Sequence, residues 1–115
     1  MQFRQSQIDP QIPVVEVEKG DKGPVVDLLA ERGWGYAVFG PGTPSLIVVD
    51  GRIRGQRWFT EDHMRAIEAH EAGHILEGID ETAADLRGIA LLLSLGHERA
   101  ADLLRRRQTV LMGPT

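Results

Sequence analysis

At Thr60 the residue pattern changes from that of short strands and turns to that of a helix. This change constrains the fold more than any other feature. Thr60 is a favourable N-cap, and the two acidic residues after it suit the positive end of a helix. A helical pattern then continues to Glu77, and Gly78 is the kind of residue that follows the last turn of a helix. The pattern therefore predicts one long helix that ends at Glu77.

Two further helices are predicted to follow. Asp80 is placed to cap a helix over residues 81–95, and Gly96 then interrupts the pattern. A third helix is predicted to extend to about Arg107. Residues 60–108 are thus expected to form a helical half of the molecule.

In the first half, residues 1–59, glycines and prolines separate short segments, which is typical of short strands joined by turns. Its start contains two prolines and is predicted to be an extended arm. The remaining predicted elements are strands at 14–18, 36–39 and 46–50, a possible returning strand at 52–54, and a short helix at 24–32. The 115 residues are predicted to form a single α+β domain, in which a small antiparallel sheet precedes the three helices.

The composition restricts the partners and the metal chemistry. The formal net charge of −4 gives no attraction toward nucleic acid or anionic lipid, so neither is expected as a partner. No apolar run reaches the roughly 18 residues of a membrane span, and the start lacks the apolar core of a signal peptide, so a cytoplasmic location is expected. Because the sequence has no cysteine, a metal would be held by histidine and carboxylate side chains.

The segment His70-Glu71-Ala72-Gly73-His74 is an HExxH motif inside the predicted long helix. Residues four apart lie on the same helical face, so both imidazoles can bind one ion. The side chain of Glu71 is offset from them, which suits a general base that acts on a metal-activated water. The motif predicts that His70 and His74 bind zinc.

The next helix offers acidic side chains with the same spacing. Glu81 and Asp85 lie four residues apart on one face, and two histidines with one glutamate are an established ligand set of catalytic zinc. Gly88 lies one turn further along, where the absent side chain would let the two helices approach closely. Glu81 is therefore predicted to be the third ligand, with Asp80 as the alternative if the helix boundary shifts by one residue.

His70-Glu71-x-x-His74 followed by Glu81-x-x-Ala84-Asp85 resembles the gluzincin pattern, and its short central gap is most similar to the ImmA/IrrE family of metallopeptidases. The resemblance covers roughly residues 60–95. It implies a minimal zincin-like domain and a zinc-dependent endopeptidase with a protein or peptide substrate. It also implies that Zn²⁺ is held by His70, His74 and Glu81. Glu71 would then be the general base, and Asp85 would orient His70 from the second helix.

Details of the proposed site stay open in the sequence. The oxyanion that develops during peptide hydrolysis needs a donor, and the candidates are His97, His63, Tyr36, Arg52, Arg54 and Arg57. The strand at 46–50 is either an edge strand that pairs with a substrate or a core strand. Trp34, Trp58 and Phe59 are expected in the core or in the lining of the cleft.

Two other functions compete with the peptidase. In the first, zinc only braces the helices of a non-catalytic protein-interaction module. In the second, residues 91–104 around Gly96 form a helix-turn-helix that binds DNA. Asp102 argues against the second alternative, because it would occupy a position that is usually apolar in that motif.

Overall fold

Four strands, four α-helices and one 3-10 helix account for the regular structure of the described residues, which confirms the α+β class. The structure is a computed structural model that describes the backbone of residues 1–112 and the side chains of residues 1–107. In chain order the elements are β1 (Gln2–Gln5), β2 (Pro13–Val17), α1 (Pro24–Arg32), β3 (Gly35–Val38), β4 (Leu46–Asp50), a 3-10 helix (Gly51–Gly55), α2 (Glu61–Glu77), α3 (Glu81–Ser94) and α4 (Glu98–Met112). None of these helices combines the length and the apolar content that crossing a bilayer requires.

The sheet is mixed, so the prediction of an antiparallel sheet is wrong for its central pair. The strand order is β1-β2-β4-β3, with β2 and β4 parallel and the two outer pairs antiparallel. Val14 of β2 lies beside Ile47 of β4. Parallel neighbours need a long connection, and α1 and β3 supply it because they lie between β2 and β4 in the sequence.

The first residues of the chain are part of the sheet rather than an extended arm. Residues 2–5 form β1 and pair with β2, with Phe3 opposite Val15. The side chain of Arg4 extends from β1 to α2 and lies 2.8 Å from an oxygen of the fully buried Glu68. This long-range ion pair attaches β1 to the long helix.

The possible returning strand at 52–54 is also corrected, because these residues lie in the 3-10 helix. The side chain of Asp50 caps this helix by accepting a hydrogen bond from the Arg52 N–H at 3.1 Å. The tight turn then directs Ile53 into the core, where its side chain is fully buried. The capped turn gives the Arg52 N–H a hydrogen-bond acceptor and buries the side chain of Ile53, so no strand forms here.

β4 is a core strand, which decides between the two alternatives for residues 46–50. It lies between β2 and β3, and its Ile47, Val48 and Val49 are buried. β3 is the outer strand on this side of the sheet, and it contacts α2. The free sheet edge beside the long helix is therefore Gly35–Val38.

Three apolar clusters form the core, and two of them include residues of α2. The apolar cluster on the α2 face consists of Ile12, Val14, Ile47, Val49, Ile53, Met64 and Ala72. The cluster on the opposite face, next to α1, consists of Val15, Val17, Leu29, Tyr36 and Val48. A third cluster joins α2 to α3 and α4 and contains Ile8, Ala66, Ala69, Leu92, Ala100, Ala101 and Leu104. α2 is thus held between the sheet and the other two helices.

Two glycines allow α2 and α3 to lie close together. A Cβ atom on Gly88 would lie 2.8 Å from the carbonyl oxygen of Ala69, so the close approach predicted at Gly88 is confirmed. A Cβ atom on Gly73, inside the motif, would overlap the backbone carbonyl of Ala84. Both helices therefore meet at backbone distance where their functional side chains face each other.

Candidate metal centre

α2 and α3 form a hairpin whose turn runs from Gly78 to Asp80. Gly78 has a φ of 93° and donates its backbone N–H to the carbonyl oxygen of His74 at 2.8 Å, which ends α2. Asp80 accepts a hydrogen bond from the Ala83 N–H at 2.8 Å and so caps α3. The turn starts α3 at Glu81 and uses the carboxylate of Asp80 in the cap rather than in the metal centre.

The two motif histidines are buried and point their Nε2 atoms toward each other, 3.1 Å apart. The Nδ1–H of His74 donates to the carbonyl oxygen of Gly78 at 2.7 Å, and the Nδ1–H of His70 donates to Asp85 at 2.5 Å. A carbonyl or carboxylate oxygen can only accept, so these bonds assign the ring proton to Nδ1. A neutral ring with this proton assignment presents an unprotonated Nε2, which is the atom that a metal binds.

Glu81 adds a third acceptor to the two histidines. Its Oε2 lies 2.9 Å from Nε2 of His70, and its Oε1 lies 3.2 Å from Nε2 of His74, although the Glu81 side chain is 61% exposed. Two imidazole lone pairs and a carboxylate repel one another at these distances unless a proton or a cation lies among them. The three predicted ligands are therefore brought together in an arrangement that favours a cation.

The donor set and its spacing fit zinc. Zinc binds histidine nitrogen and carboxylate oxygen at about 2.0–2.2 Å, so neighbouring ligand atoms of a tetrahedral site lie about 3.3 Å or slightly more apart. The three separations here are 2.9, 3.1 and 3.2 Å. They are a few tenths of an ångström shorter than the tetrahedral spacing. Two nitrogens and one oxygen form the ligand set of several catalytic zinc sites.

Glu71 lies beside this centre on α2. One ligand atom from each of His70, Glu71 and His74 lies within 4.8 Å of the others. The side chain of Glu71 is only 6% exposed. Burial raises the pKa of this carboxyl group, and the two histidines partly oppose the increase. A carboxylate with a raised pKa, close to the ligands but distinct from them, is suited to accept and return a proton.

A cavity of about 290 Å³ adjoins the centre. It is lined by side chains and backbone from α1, β3, α2, α3 and α4: Arg32, Gly33, Trp34, Gly35, Tyr36, Ala37, Phe39, Ile67, His70, Glu71, His74, Ile79, Glu81 and Arg107. The predicted ligands and the predicted base thus share one concave site. The three residues that would hold a metal therefore line the cavity, so a molecule in the cavity would lie beside them.

Of the six oxyanion donors considered from the sequence, only Tyr36 lines this cavity among the described residues. Its hydroxyl group donates to the carbonyl oxygen of Val25 at 3.0 Å and is therefore already engaged. His63 is engaged elsewhere as well, because its Nδ1 accepts a hydrogen bond from the backbone N–H of Thr60 at 3.0 Å. His97 precedes α4, at the junction with α3.

Arg107 is the residue that the sequence did not point to. It lies on α4, lines the cavity, and places a guanidinium nitrogen 3.7 Å from Oε2 of Glu81. Its positive charge therefore stands at the wall of the site that carries the ligands. The sequence predicted a helix here but held no information on which residue of it would face the motif, which lies more than thirty residues earlier.

Comparisons with protein-family models, with curated proteins and with solved structures gave no match to this chain. The functional assignment therefore rests on the motif and on the geometry described above.

Proposed function

We propose that this protein is a zinc-dependent endopeptidase of the gluzincin kind, related to the ImmA/IrrE metallopeptidases. The proposal rests on the convergence of His70, His74 and Glu81, whose ligand atoms lie 2.9–3.2 Å apart at the wall of an open cavity. The resemblance of the motif adds the expectation of peptide hydrolysis to this geometry.

Zinc, when bound, polarises the scissile carbonyl group and lowers the pKa of water toward about 7. The residues of the chain provide the remaining steps. Asp85 and the Gly78 carbonyl hold the imidazole rings of His70 and His74 so that both Nε2 atoms face Glu81, the third proposed ligand. Glu71 accepts the proton of the attacking water and returns it to the leaving amine. Its burial supports this role, because a raised pKa brings the carboxyl group closer to the proton affinity that both transfers need.

The free edge of β3 gives the substrate a place to bind. Gly35 and Ala37 of this strand line the same cavity as the ligands, and among the described strands β3 pairs only with β4. An extended peptide that added to this edge would pass in front of the metal centre. The proposed substrate is therefore a protein or peptide segment in extended conformation, encountered in the cytoplasm.

Arg107 is the proposed donor to the oxyanion. A guanidinium group at the wall of the cavity would offer N–H donors and a positive charge to the oxygen that becomes negative during attack. A guanidinium nitrogen of Arg107 lies 3.7 Å from the proposed ligand Glu81, in the lining of that cavity. Tyr36, the sequence candidate in the cavity, donates its hydroxyl group elsewhere.

Metal analysis of the purified protein tests the centre. We expect about one zinc ion per chain, and a large loss of zinc affinity when His70, His74 or Glu81 is replaced by alanine. His63→Ala and His97→Ala are matched controls that should retain zinc, because neither residue lines the cavity in the described part of the chain. A protein that binds no zinc, or whose zinc depends on Asp80 rather than Glu81, would contradict the proposed ligand set.

Glu71→Gln separates an enzyme from a zinc-braced interaction module. Glutamine has nearly the same shape but cannot accept the proton, so zinc content should persist while turnover falls by at least about 100-fold. The assay begins with an unbiased peptide library cut by the zinc-loaded wild type. Zinc binding without cleavage of any library peptide would favour the non-catalytic module, and equal cleavage by Glu71→Gln would exclude Glu71 as the base.

A further inference from the structure

Two cationic side chains, Arg32 and Arg107, line the cavity of the metal centre. A guanidinium nitrogen of Arg107 lies 3.7 Å from Oε2 of Glu81, so this charge has an acidic neighbour. Arg32 forms no ion pair and no side-chain hydrogen bond with the residues that the structure describes. The residue is exposed, and its guanidinium group therefore has donors left for a carboxylate group of another molecule.

The backbone around Arg32 is held in place on both sides. α1 buries Leu29 in the apolar cluster on its face of the sheet. Gly33 then ends the helix with a φ of 94° and donates its backbone N–H to the carbonyl oxygen of Leu29 at 2.8 Å. The carbonyl oxygen of Trp34 accepts a hydrogen bond from the Asp50 N–H at 2.8 Å. The side chain of Arg32 therefore extends from a fixed point in the cavity wall.

The lining of the cavity follows β3 from Arg32, before the strand, to Phe39, after it. β3 begins at Gly35, where an added Cβ atom would lie 3.6 Å from Cγ of Glu71. Phe39 stacks on His74, with ring centroids 6.2 Å apart. The three residues from Arg32 to Gly35 span at most about 11 Å. A peptide aligned with β3 would therefore pass Arg32 within about three residues of the bond that lies beside the proposed base.

The other charged residues of this lining already have proposed roles. Glu81 is a proposed metal ligand, Glu71 is the proposed base, and Arg107 is the proposed donor to the oxyanion. Arg32 is the charged residue of the described lining that none of these steps uses. The chain has a formal net charge of −4, so the protein as a whole does not attract acidic molecules. A preference for an acidic group in the cleft would therefore depend on the local charge of Arg32.

We propose that Arg32 binds an acidic side chain of the substrate, so that the peptidase selects protein segments with aspartate or glutamate within about three residues of the scissile bond. This inference rests on the proposed function, because it assigns Arg32 to the substrate of the metal centre. A guanidinium group binds a carboxylate through two parallel hydrogen bonds and repels a lysine or arginine side chain. Water and salt screen a pair at this exposed position, so the preference is moderate rather than absolute.

Peptide binding measures this selection without catalysis. The probes are seven-residue alanine–serine peptides, blocked at both ends, whose central residue is glutamate, glutamine or lysine. They are titrated into zinc-loaded Glu71→Gln and into zinc-free wild type, and tryptophan emission reports binding because Trp34 lines the same cavity as Arg32. We expect the glutamate peptide to bind roughly 3- to 10-fold more tightly than the glutamine peptide, and the lysine peptide to bind most weakly. The difference should disappear in about 1 M NaCl.

A fourth probe separates the two sources of a carboxylate group. It has glutamine at the centre and a free carboxyl terminus. We expect it to bind no better than the blocked glutamine peptide. If it binds as tightly as the glutamate peptide or more tightly, Arg32 recognises chain ends, and selection of an acidic side chain is overturned.

Charge substitutions assign the preference to Arg32. Arg32→Met should make the affinities for the glutamate and glutamine peptides equal, and Arg32→Glu should reverse the order so that the lysine peptide binds best. Arg99→Glu is the matched control, because it makes the same change in net charge at an exposed arginine that does not line the cavity. This variant should keep the wild-type preference.

Kinetics distinguish substrate selection from a role in the chemical step. On a library peptide that contains an acidic residue near the cut, Arg32→Met should raise KM roughly 3- to 10-fold and leave kcat at the wild-type level. The same peptide with glutamine in place of the acidic residue should be cut equally well by both proteins. A lower kcat at unchanged KM would make Arg32 a donor to the oxyanion and would overturn the inference.

Equal affinity of the wild type for the glutamate and glutamine peptides, or a preference that Arg32→Glu leaves unchanged, would also overturn the inference. So would cleavage of library peptides with no enrichment of acidic residues near the cut, although the peptidase itself would then stand. A protein that binds no zinc contradicts the proposed function instead. The titration of the zinc-free protein still measures binding at Arg32 in that case.

Discussion

Oδ1 of Asp85 lies 2.5 Å from Nδ1 of His70, and this short contact joins α3 to the centre of α2 inside the protein. The side chain of Asp85 is 1% exposed, so the carboxylate is screened very little by solvent. A charged acceptor on Nδ1 both orients the ring and increases the electron density at Nε2. Asp85 is therefore positioned to strengthen the bond from His70 to a metal without touching the metal.

Asp85→Asn should weaken zinc binding by roughly 10–100-fold, the usual effect of losing such a partner. Asparagine keeps the size and can still accept from Nδ1–H, so the loss measures the charge. A competition titration against a chelator gives the affinity. Asp80→Asn is the matched control, because asparagine caps a helix as well as aspartate does and Asp80 bonds to the backbone of Ala83 instead. Equal zinc affinity in Asp85→Asn and the wild type would remove Asp85 from the metal centre.

Arg107→Met should lower kcat by roughly 100-fold or more on a library substrate, the scale of losing one oxyanion donor. Methionine retains much of the length of the side chain but removes the charge and the donors. Zinc content should stay at the wild-type level, because Arg107 touches Glu81 only at 3.7 Å. Arg106→Met, on the exposed surface of the same helix, serves as the control. If Arg32→Met lowers kcat and Arg107→Met does not, the donor comes from α1.

Gly73→Ala should destabilise the protein and weaken zinc binding together. The new Cβ would overlap the backbone of Ala84, so α2 and α3 must separate, and overpacking of this kind costs roughly 1–3 kcal/mol. This cost exceeds the gain of about 1 kcal/mol in helix propensity. Thermal melting and zinc titration measure the two effects. A Cβ at Gly55 meets no atom within 4 Å, so Gly55→Ala should match the wild type in both measurements.

A second set of charges links the sheet to α2 and makes stability depend on pH. Glu16 is buried between two arginines, with Arg54 at 2.8 Å and Arg4 at 3.2 Å. The hydrogen bond from Arg54 lowers the pKa of Glu16, burial opposes this, and Arg4 lowers it further. Because the pKa is lower in the folded state, the contribution to stability is complete above about pH 4.5 and is lost as the pH falls through the folded value.

Glu16→Gln should therefore reduce the free energy of unfolding at pH 7 by roughly 1.5–3 kcal/mol, the range for hydrogen bonds to charged groups. It should also flatten the loss of stability below pH 4.5. Urea unfolding at several pH values between 3 and 7 measures both effects. Glu31→Gln, at an exposed position of α1, should reproduce the wild-type curve. A Glu16→Gln curve parallel to the wild type at acid pH would contradict the assignment.

The helical half was predictable because its information is local. The Thr60 cap, the Gly78 terminus and the Asp80 cap are read within a few residues, and the i, i+4 spacing places the histidines on one face of α2. The pairing of Glu81 and Asp85 with the motif follows from the short turn between the helices. A helical period and its caps are thus sufficient to bring these side chains together.

The parts that could not be predicted depend on residues distant in sequence. β1 has mostly exposed, polar residues and pairs only because β2 and Glu68 hold it, sixty or more residues away in the latter case. The sequence of β2 or β4 does not show that these strands pair in parallel. Strands that are buried on both faces are mostly apolar and lack the alternation that would indicate their neighbours. Arg107 reaches the site through the packing of α4 on α2 and α3.

The hairpin of α2 and α3 holds every proposed metal ligand and the residue that orients one of them, from His70 to Asp85, in a single short stretch of chain. Arg107, the proposed oxyanion donor, comes from outside it, on α4. The proposed ligands and base are therefore close together in the sequence, whereas the proposed donor is not. A design that transplants the hairpin would carry over His70, His74, Glu81 and Glu71 but would need a new group in the place of Arg107.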